Sequence, residues 1–568
     1  MREVKDMPVK LPLGIEWFRE FRSDNCYYVD KTGVIEELFR EKFKVNLITR
    51  PRRFGKTLFM DMLREFFDIR RDSKELFRGL EVSKSQELCD RWMNQYPVLF
   101  LTLKDAAGED FSSAYGMLKF VTASLCVEHA YLEDSERVSD RDREIFNRLS
   151  YQRGTKEDVQ GALVTLMRMM SAHFGKPVIL LVDEYDVPLA KASDRGYYRE
   201  MLEVIRVFLG MAWKSNPFLE FAVVTGCLRI AKESIFTGAN NFVSNSISNR
   251  RFGRYFGFTE EEVKELLEAT GFTEHLSEIK DWYDGYLFGE NEVYCPWDVM
   301  NHVSMLRVDP RSKPADYWKD TSHNEIIRSF IDLPGMDVRG KFEILLAGGV
   351  IQERIVEDMT YDLADSTEEN LWSILYLTGY LTQAREERYP EGFQKEEGTT
   401  VLCIPNEEVK TIFEDTIVKW FRDTVTGMDR SGLFEAWWDG DDQKLTELVT
   451  DILFDTISYF DYKEDYYHAF TAGLFVGAGY AVSSNKEQGT GRADIVVQDR
   501  KNRRALIIEA KHSKKESDME KDCRRAADQI NRRQYIRTDL KGYRKILCYG
   551  IAFFEKDCLV RLLSDYLT

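Results

Sequence analysis

The stretch from Val45 to Thr57 reads Val-Asn-Leu-Ile-Thr-Arg-Pro-Arg-Arg-Phe-Gly-Lys-Thr. It passes from an apolar run of strand character into a loop that ends in Gly55, Lys56 and Thr57, and an amphipathic stretch follows. In a phosphate-binding loop, backbone N–H groups at a helix N-terminus hold the β-phosphate, the lysine reaches the β/γ oxygens and the threonine hydroxyl binds Mg²⁺. The segment therefore predicts a P-loop.

The match to the P-loop pattern GxxxxGK[ST] is partial. Arg50 stands where the pattern has its first glycine, and a bare Gly-Lys-Thr also occurs by chance. Arg53, inside the loop, is a further candidate nucleotide ligand. The assignment therefore depends on partner motifs elsewhere in the chain.

A second motif consists of the apolar run Val178–Val182 and the two acidic residues that follow it, Asp183 and Glu184. In P-loop ATPases an aspartate at this place orders Mg²⁺, and a following glutamate polarises the attacking water. The alternative is a core strand with solvated acids at its tip. Strand tips are, however, where open α/β sheets place ligands. We predict Thr57 and Asp183 as metal ligands and Glu184 as catalytic.

Apolar runs, the first of them Val45–Thr49, alternate with amphipathic stretches such as Leu58–Phe67 and Tyr198–Trp213, as in a parallel α/β sheet. Val98–Leu103 lies between the two motifs along the chain, as in the P-loop class with a catalytic glutamate (the ASCE class). Phe221–Thr225 leads to Arg229, and either Thr225 or Arg229 is a candidate to contact the γ-phosphate. A surface arginine is the alternative for Arg229.

The C-terminal part contains a second kind of motif. Gly-Arg-Ala-Asp494-Ile-Val-Val is followed by Leu-Ile-Ile-Glu509-Ala-Lys511. Side chains alternate along a strand, so Glu509 and Lys511 project from one face. Asp494 on a neighbouring strand is then expected within about 5 Å of Glu509, where the two carboxylates share one Mg²⁺. The metal would activate a water molecule, and Lys511 would orient it. The residue pattern therefore predicts a PD-(D/E)XK nuclease site.

Neighbouring residues extend this candidate site. Glu464, with His468 one turn later on a predicted helix, offers another carboxylate, and Gln529 and Tyr535 lie on a basic helix suited to phosphate or a base. From Arg500 onward, 18 Lys/Arg stand against 10 Asp/Glu, a local balance of +8. Two alternatives remain, because Asp…Glu-x-Lys occurs in ordinary hairpins and a basic helix face is often only solvated.

Composition limits the protein class. The 568 residues are 43% hydrophobic and 31% charged, as in soluble globular proteins, and are too many for one core. The net charge of −18 argues against coating nucleic acid by bulk charge. Nine scattered cysteines, no apolar run of membrane length and no secretory leader favour a cytoplasmic protein with reduced thiols. Seven histidines without a motif such as HExxH argue against zinc.

Several segments resemble a known family. The segments LPLGIEWFREFRSDNCYYVDKTGVIEELF, ITRPRRFGKTLFMDML, VILLVDEYDVPL and VVTGCLRIAKESIFTGANNF resemble, in this order, the AAA-ATPase-like family of bacteria, over roughly residues 11–249. In that family RPRRFGKT is the usual form of the loop. The resemblance implies ATP or GTP bound at Gly55, Lys56 and Thr57, with Asp183 and Glu184 at Mg²⁺. Tyr28-Val-Asp-Lys-Thr32 also matches, either as part of the base pocket or as packing.

The C-terminal residues, roughly 459–554, resemble the PD-(D/E)XK domain attached to that family, matching at Asp494, Glu509 and Lys511. We therefore predict an ASCE-type P-loop NTPase domain (1–256), a mainly helical middle domain (257–455) and a small α/β PD-(D/E)XK nuclease-like domain (456–568). The middle domain's aromatic residues are expected in the core rather than around a ligand.

The leading functional hypothesis is an ATP-controlled nuclease that acts on nucleic acid, with DNA as the favoured substrate, and forms a homo-oligomer. The alternative is a nucleotide-dependent switch whose C-terminal domain binds nucleic acid without cutting it. A purely structural role would require Gly55, Lys56, Thr57, Asp183 and Glu184 to coincide by chance.

Overall fold

A computed structural model describes residues 9–230, 235–236, 242–318, 339–359, 367–414, 431–456, 471, 475, 480–484, 495–532, 543–554 and 557–567. Two compact units share the chain. The N-terminal unit comprises Met1–His323 and Val350–Thr411, and the C-terminal unit comprises Asn324–Gly349 and Ile412–Thr568. The predicted boundaries at 256 and 455 remain predictions.

A five-stranded parallel sheet forms the centre of the N-terminal unit, in the order β2-β3-β4-β1-β6. The strands of this unit are β1 (Val45–Thr49), β2 (Val98–Thr102), β3 (Val178–Asp183), β4 (Leu219–Gly226), β5 (Arg229–Ile230), β6 (Phe242–Asn245), β7 (Tyr286–Phe288), β8 (Asn291–Val293), β9 (Ile351–Glu353), β10 (Asp358–Met359), β11 (Thr382–Gln383) and β12 (Thr400–Cys403). Strands β1 and β3 are buried at every position, so they read as continuous apolar runs.

Helices make up the larger share of the regular secondary structure in this unit. They are α1 (Phe18–Ser23), α2 (Val34–Arg40), α3 (Lys56–Phe67), α4 (Gln86–Trp92), α5 (Phe111–Glu128), α6 (Asp140–Ser150), α7 (Lys156–Gln160), α8 (Ala162–Phe174), α9 (Val187–Asp194), α10 (Tyr198–Trp213), α11 (Glu260–Thr270), α12 (Leu276–Tyr283), α13 (Pro296–Val308) and α15 (Glu368–Leu377), which follows α14 (Arg339–Leu346) of the other unit along the chain. Short 3₁₀ turns include Gly253–Tyr255 and Thr273–His275.

Strand order places the predicted motifs together. Strand β4 lies between β1 and β3, and every pair in this sheet is parallel. The carboxyl ends of β1, β3 and β4 therefore meet at one edge, where open α/β sheets place ligands. The insertion of β4 between the loop strand and the acidic strand agrees with the predicted ASCE-type sheet.

The middle part is mainly helical, with short strands added. Helices α11, α12 and α13 share one apolar core, which includes Val263, Leu266, Ile279, Tyr283 and Val303. Helix α11 begins with a capping box at Thr259 and ends at Gly271, whose φ of 83° is a backbone conformation that favours glycine. The prediction that the middle aromatics are core is confirmed for Tyr283 and Tyr286, both buried.

A mixed sheet forms the C-terminal unit, in the order β13-β14-β15-β16-β17. Its elements are α14 (Arg339–Leu346), α16 (Ser431–Asp439), α17 (Asp442–Thr456), β13 (Ala481–Ser484), β14 (Ile495–Asp499), β15 (Arg504–His512), α18 (Met519–Arg532), β16 (Lys545–Phe554) and β17 (Asp557–Leu567). Strand β15 pairs antiparallel with β14 and parallel with β16.

Both faces of this second sheet are covered. Leu506 and Ile508 of β15 pack with residues of α16 and α17. On the other face α18 lies close to the sheet, because a Cβ placed on Gly550 of β16 would come within 2.9 Å of the Cys523 carbonyl oxygen. The unit is thus a small α/β domain, as predicted.

Among the described residues, the strands and helices predicted from the sequence pattern are confirmed with shifts of a few residues at their ends, whereas the predicted helix around Glu464 lies outside the described residues. Strand β1 and helix α10 have the predicted bounds. All nine cysteines carry free thiols. Among the described residues, no helix is both long enough and apolar enough to cross a membrane.

Candidate nucleotide-binding and nuclease-like sites

The predicted P-loop connects β1 to α3. Gly55 precedes the helix with a φ of 82°, a left-handed backbone conformation that glycine adopts without strain, and Lys56 is the first helical residue. The loop therefore presents the N-terminus of α3 at the carboxyl edge of the sheet. That is the geometry in which backbone N–H groups bind phosphate.

Asp183, Thr57 and Thr225 form one hydrogen-bonded group at this edge. The Thr57 hydroxyl donates to Asp183 Oδ2 over 2.9 Å, and the Thr225 hydroxyl donates to Asp183 Oδ1 over 2.6 Å. Burial and the neighbouring Glu184 carboxylate raise the pKa of Asp183. The structure thus joins Thr57 and Asp183, the two residues predicted to ligate Mg²⁺, and gives Thr225 a hydrogen bond to the acid.

Lys56 is buried inside the loop. Its amine donates to the backbone carbonyls of Arg50 and Pro51 over 3.1 and 3.0 Å, and it lies 3.8 Å from Glu184 Oε1. Burial alone disfavours the charged amine, but Cys227 and the nearby carboxylates outweigh it and raise the pKa of Lys56. The lysine is therefore held as a cation beside the predicted catalytic glutamate.

Glu184 has an unusual backbone conformation. Its φ is 54°, although it is not a glycine, and conformations of this kind cost about 1–3 kcal/mol and cluster at functional sites. Its side chain is 19% exposed. The turn directs a partly accessible carboxylate toward Lys56 at the edge of the sheet.

Asp186 was missed by the sequence reasoning. It is buried and accepts hydrogen bonds from the backbone N–H groups of Cys227 and Leu228 over 2.9 and 3.0 Å. A Cβ on Gly226 would come within 2.6 Å of Asp186 Oδ1, so only glycine fits there. Asp186 therefore positions the turn after β4 beside the P-loop, and its place after Asp183 and Glu184 was the available signal.

Arg50 has a structural explanation that the P-loop pattern alone does not give. Its fully buried guanidinium donates to the carbonyls of Thr49, Asn245 and Arg251 over 2.7, 2.9 and 3.4 Å. It also lies 5.1 Å from the ring centroid of Phe256. The planar fork of arginine joins the ends of β1 and β6 to the segment that follows β6.

We expect Arg50→Lys to lower the free energy of unfolding by at least about 2 kcal/mol. A single ammonium does not span the same carbonyls, and each buried group left unsatisfied costs about 1–3 kcal/mol. Denaturant unfolding measures the loss. Arg78→Lys, at an 80% exposed side chain, is the matched control and should stay within about 0.5 kcal/mol of wild type. Equal losses for the two variants would contradict the assigned role of Arg50.

A cavity of about 600 Å³ opens beside the loop. Gly55, Lys56, Thr57 and Glu184 form its polar end, and the remaining wall is largely apolar and aromatic. Small-molecule sites are typically about 300–1,000 Å³, apolar with a few polar groups. The cavity thus has room for a small ligand whose charged end lies at the loop.

The segment Tyr28–Thr32, for which two alternatives were open, lines the cavity and also packs against neighbouring segments, and its part in a base pocket stays a prediction. Tyr28 and Lys31 line the cavity. Asp30 instead accepts hydrogen bonds from the Thr32 backbone and hydroxyl and from the Glu81 backbone, which anchors the segment. Lys31 donates to both carboxylate oxygens of Glu262. The segment is thus a folded wall of the cavity.

Of the two arginines predicted to bind the nucleotide, Arg53 lines the cavity and Arg229 does not. Arg53 lines the cavity, and its guanidinium carbon lies 4.2 Å from the ring centroid of Trp297, another cavity residue. Arg229 instead forms an ion pair with Asp358 over 3.0 Å and stacks over Phe242. It is not among the described residues that line the cavity. Its contact with the γ-phosphate stays a prediction.

In the C-terminal unit the structure places Glu509 and Lys511 on β15. Glu509 is fully buried, and Lys511 Nζ lies 3.8 Å from Glu509 Oε1. Glu509 pairs in register with Gly550, the strand position that α18 approaches. The predicted projection from one face is confirmed, and α18 covers that face.

Asp494 lies outside the described residues, as do Glu464, His468 and Tyr535. Gln529 falls within α18, but its side chain also lies outside them. Ile495, the residue after Asp494, pairs antiparallel with Ile508, the residue before Glu509. The predicted distance between Asp494 and Glu509 stays a prediction.

Comparison with known proteins gives two family matches. Residues 12–236 match the model of a predicted AAA-ATPase family, AAA-ATPase_like, and residues 462–561 match the PD-(D/E)XK nuclease superfamily. A protein of Azotobacter chroococcum mcd 1, described as an uncharacterized protein in the vnfD 5′ region, is 28% identical over 501 residues, which cover 86% of this chain and 87% of that protein. No solved structure matches the chain. The chain therefore carries an AAA-ATPase-like domain and, after it, a PD-(D/E)XK nuclease superfamily domain.

Proposed function

We propose that this protein binds and hydrolyses ATP, or alternatively GTP, with Mg²⁺, and that its nuclease-like domain cleaves DNA under control of the nucleotide site. The observation that carries the first part is the group formed by Lys56, Thr57, Asp183 and Glu184 at one sheet edge. The family matches support both activities in general terms.

The donor set at the sheet edge fits Mg²⁺. The Thr57 hydroxyl and the Asp183 carboxylate are oxygen ligands, which Mg²⁺ prefers, and they already lie 2.9 Å apart. Together with Cys227, the carboxylates of Glu184, Asp183 and Asp186 lie close enough to Lys56 to raise the pKa of its amine, so the site is rich in the oxygen ligands that Mg²⁺ prefers. When bound, Mg²⁺ neutralises charge on the phosphate oxygens.

The cavity fits the rest of a nucleotide. Lys56 would exchange the carbonyls of Arg50 and Pro51 for phosphate oxygens, while the N–H groups at the start of α3 hold the β-phosphate. The apolar wall, with Trp297 and Tyr27, would receive the base and exclude water from it. Glu184 would orient the attacking water.

In the second part of the proposal, Asp494 and Glu509 would hold a Mg²⁺ ion. The support for this part is the buried carboxylate of Glu509, the Lys511 amine 3.8 Å away and the pairing of Ile495 with Ile508. Carboxylate oxygens suit Mg²⁺, which would activate water and neutralise the scissile phosphate. The basic balance after Arg500 would attract the DNA backbone. We further propose that the protein works in the cytoplasm as a homo-oligomer.

We expect Lys56→Ala to weaken binding of MgATP about ten- to hundredfold. Hydrogen bonds to charged groups contribute about 1.5–3 kcal/mol, and 1.4 kcal/mol is tenfold in Kd. Titration calorimetry with ATP and GTP measures the change and identifies the preferred nucleotide. Lys264→Ala, an exposed ion-pair residue on α11, is the control and should bind as wild type does. Wild-type affinity in Lys56→Ala would refute the nucleotide site.

A further inference from the structure

Three potential metal ligands meet at the junction of α12 and α13, away from the residues assigned above. His275 ends a 3₁₀ turn, Glu278 lies in the first turn of α12, and His302 lies in the middle of α13. One ligand atom from each lies within 4.8 Å of the other two. The three side chains come from separate elements yet converge on one point.

His302 is the residue that the fold alone does not explain. It is fully buried, and neither ring nitrogen has a hydrogen-bond partner within the described part of the chain. Burying such a polar group without a partner costs free energy, and buried polar groups are normally satisfied. Its ring lies near those of His275 and Tyr283, with centroids 6.4 and 5.8 Å away. A ligand that accepts the lone pair of an imidazole nitrogen would supply the missing partner.

The other two residues are suited to completing such a site. His275 Nδ1 lies 3.1 Å from Glu278 Oε2, so both are already turned toward each other. Their side chains are 16% and 37% exposed, which leaves room to rotate and an opening to solvent. Tetrahedral ligands with bonds of about 2.0–2.1 Å lie about 3.3 Å apart, so closure requires only small side-chain rotations.

We propose that His275, Glu278 and His302 bind one Zn²⁺ ion, with water in the fourth position. Two imidazoles and one carboxylate form a ligand set that Zn²⁺ uses, whereas Mg²⁺ prefers all-oxygen sites. The solvent opening beside Glu278 would admit the water.

The ion would clamp α12 to α13. Trp297 and Met300 of α13 line the cavity beside the P-loop, so the clamp would hold the helix that forms this wall. The zinc site itself does not depend on the proposed nucleotide site. It also differs from the sequence expectation, which rested on local motifs and argued against zinc because no such motif is present.

The test is Zn²⁺ titration of the metal-stripped full-length protein against a chromophoric chelator, with excess Mg²⁺ present to occupy oxygen-rich sites. Wild type is compared with His275→Ala, Glu278→Gln and His302→Ala. Loss of an outer-shell partner of a metal site costs about 10–100-fold in affinity, so loss of a ligand should cost at least as much. We expect each variant to lose one tight Zn²⁺ equivalent.

His173→Ala is the matched control, because His173 bonds to Ser135 on another part of the unit. It should retain the wild-type stoichiometry. Substitution with Co²⁺ gives a second readout, since wild type should show the intense visible absorption of a four-coordinate site and His275→Ala should not. Circular dichroism checks that the variants fold. His275 and Glu278 are partly exposed, so their variants keep the test valid if His302→Ala unfolds. Equal Zn²⁺ stoichiometry and affinity in wild type, His275→Ala and Glu278→Gln would overturn the proposal.

Discussion

Glu184→Gln is expected to lower kcat for ATP hydrolysis by about 10²–10⁴-fold, the usual contribution of a positioned acid–base group, while MgATP binding stays close to wild type. Glutamine has nearly the same shape as glutamate but does not accept the proton of an attacking water. Lys56 and Thr57, which hold the phosphates and metal in the proposal, remain in place. Steady-state turnover and calorimetry on the same sample separate the two effects.

The control for this variant is Glu203→Gln on α10, where the side chain is 61% exposed. It carries the same chemical change away from the sheet edge and should hydrolyse ATP at the wild-type rate. Unchanged turnover in Glu184→Gln would show that another group orients the water. Loss of binding together with turnover would instead indicate that the left-handed backbone at Glu184 is disturbed.

Asp494→Ala and Glu509→Gln are each expected to reduce Mg²⁺-dependent DNA cleavage by at least about 10³-fold. A bound metal supplies several kcal/mol of transition-state stabilisation, and each 1.36 kcal/mol is tenfold in rate. Glu509 is fully buried on β15, so the isosteric glutamine preserves its packing. Degradation of a panel of DNA and RNA substrates with different divalent metals measures the loss. Both variants should bind ATP as wild type does.

The control here is Glu516→Gln, at an exposed residue of the 3₁₀ turn before α18. It should cut as wild type does. Lys56→Ala in the same assay, with and without ATP, tests the control of cutting by the nucleotide. ATP shifts the nuclease only if it binds one conformation more tightly. Equal cutting by wild type and Lys56→Ala in all conditions would refute this control. Absence of cutting by wild type on every substrate with every metal would favour a domain that binds nucleic acid without cleaving it.

The sequence by itself determined the periodic part of the fold. Buried parallel strands are largely apolar runs, and amphipathic helices repeat apolar residues every three to four positions. The bounds of β1 and of helix α10 were therefore predictable to the residue. Alternation along a strand likewise placed Glu509 and Lys511 on one face. Local spacing also selected Lys56 and Thr57, because a P-loop is contiguous in the chain.

Tertiary structure alone decided the contacts between distant segments. The order of strands brings Thr225 onto Asp183, and Asp186 onto the turn at Cys227, through register that no local pattern encodes. Arg50 departs from the P-loop sequence pattern, and only the tertiary structure gives the reason: its guanidinium donates to backbone carbonyls of three segments.

Dependence on tertiary packing also explains why the sequence did not predict the cluster of His275, Glu278 and His302. His275 and Glu278 are near neighbours, but His302 joins them only because α12 and α13 pack around one apolar core. Sequence spacing reports ligands that share a helix or a turn, whereas this cluster depends on helix packing. Motifs that are contiguous in the chain can therefore be predicted from the sequence. Sites whose residues come from separate elements are determined only by tertiary packing, because the core brings those elements together.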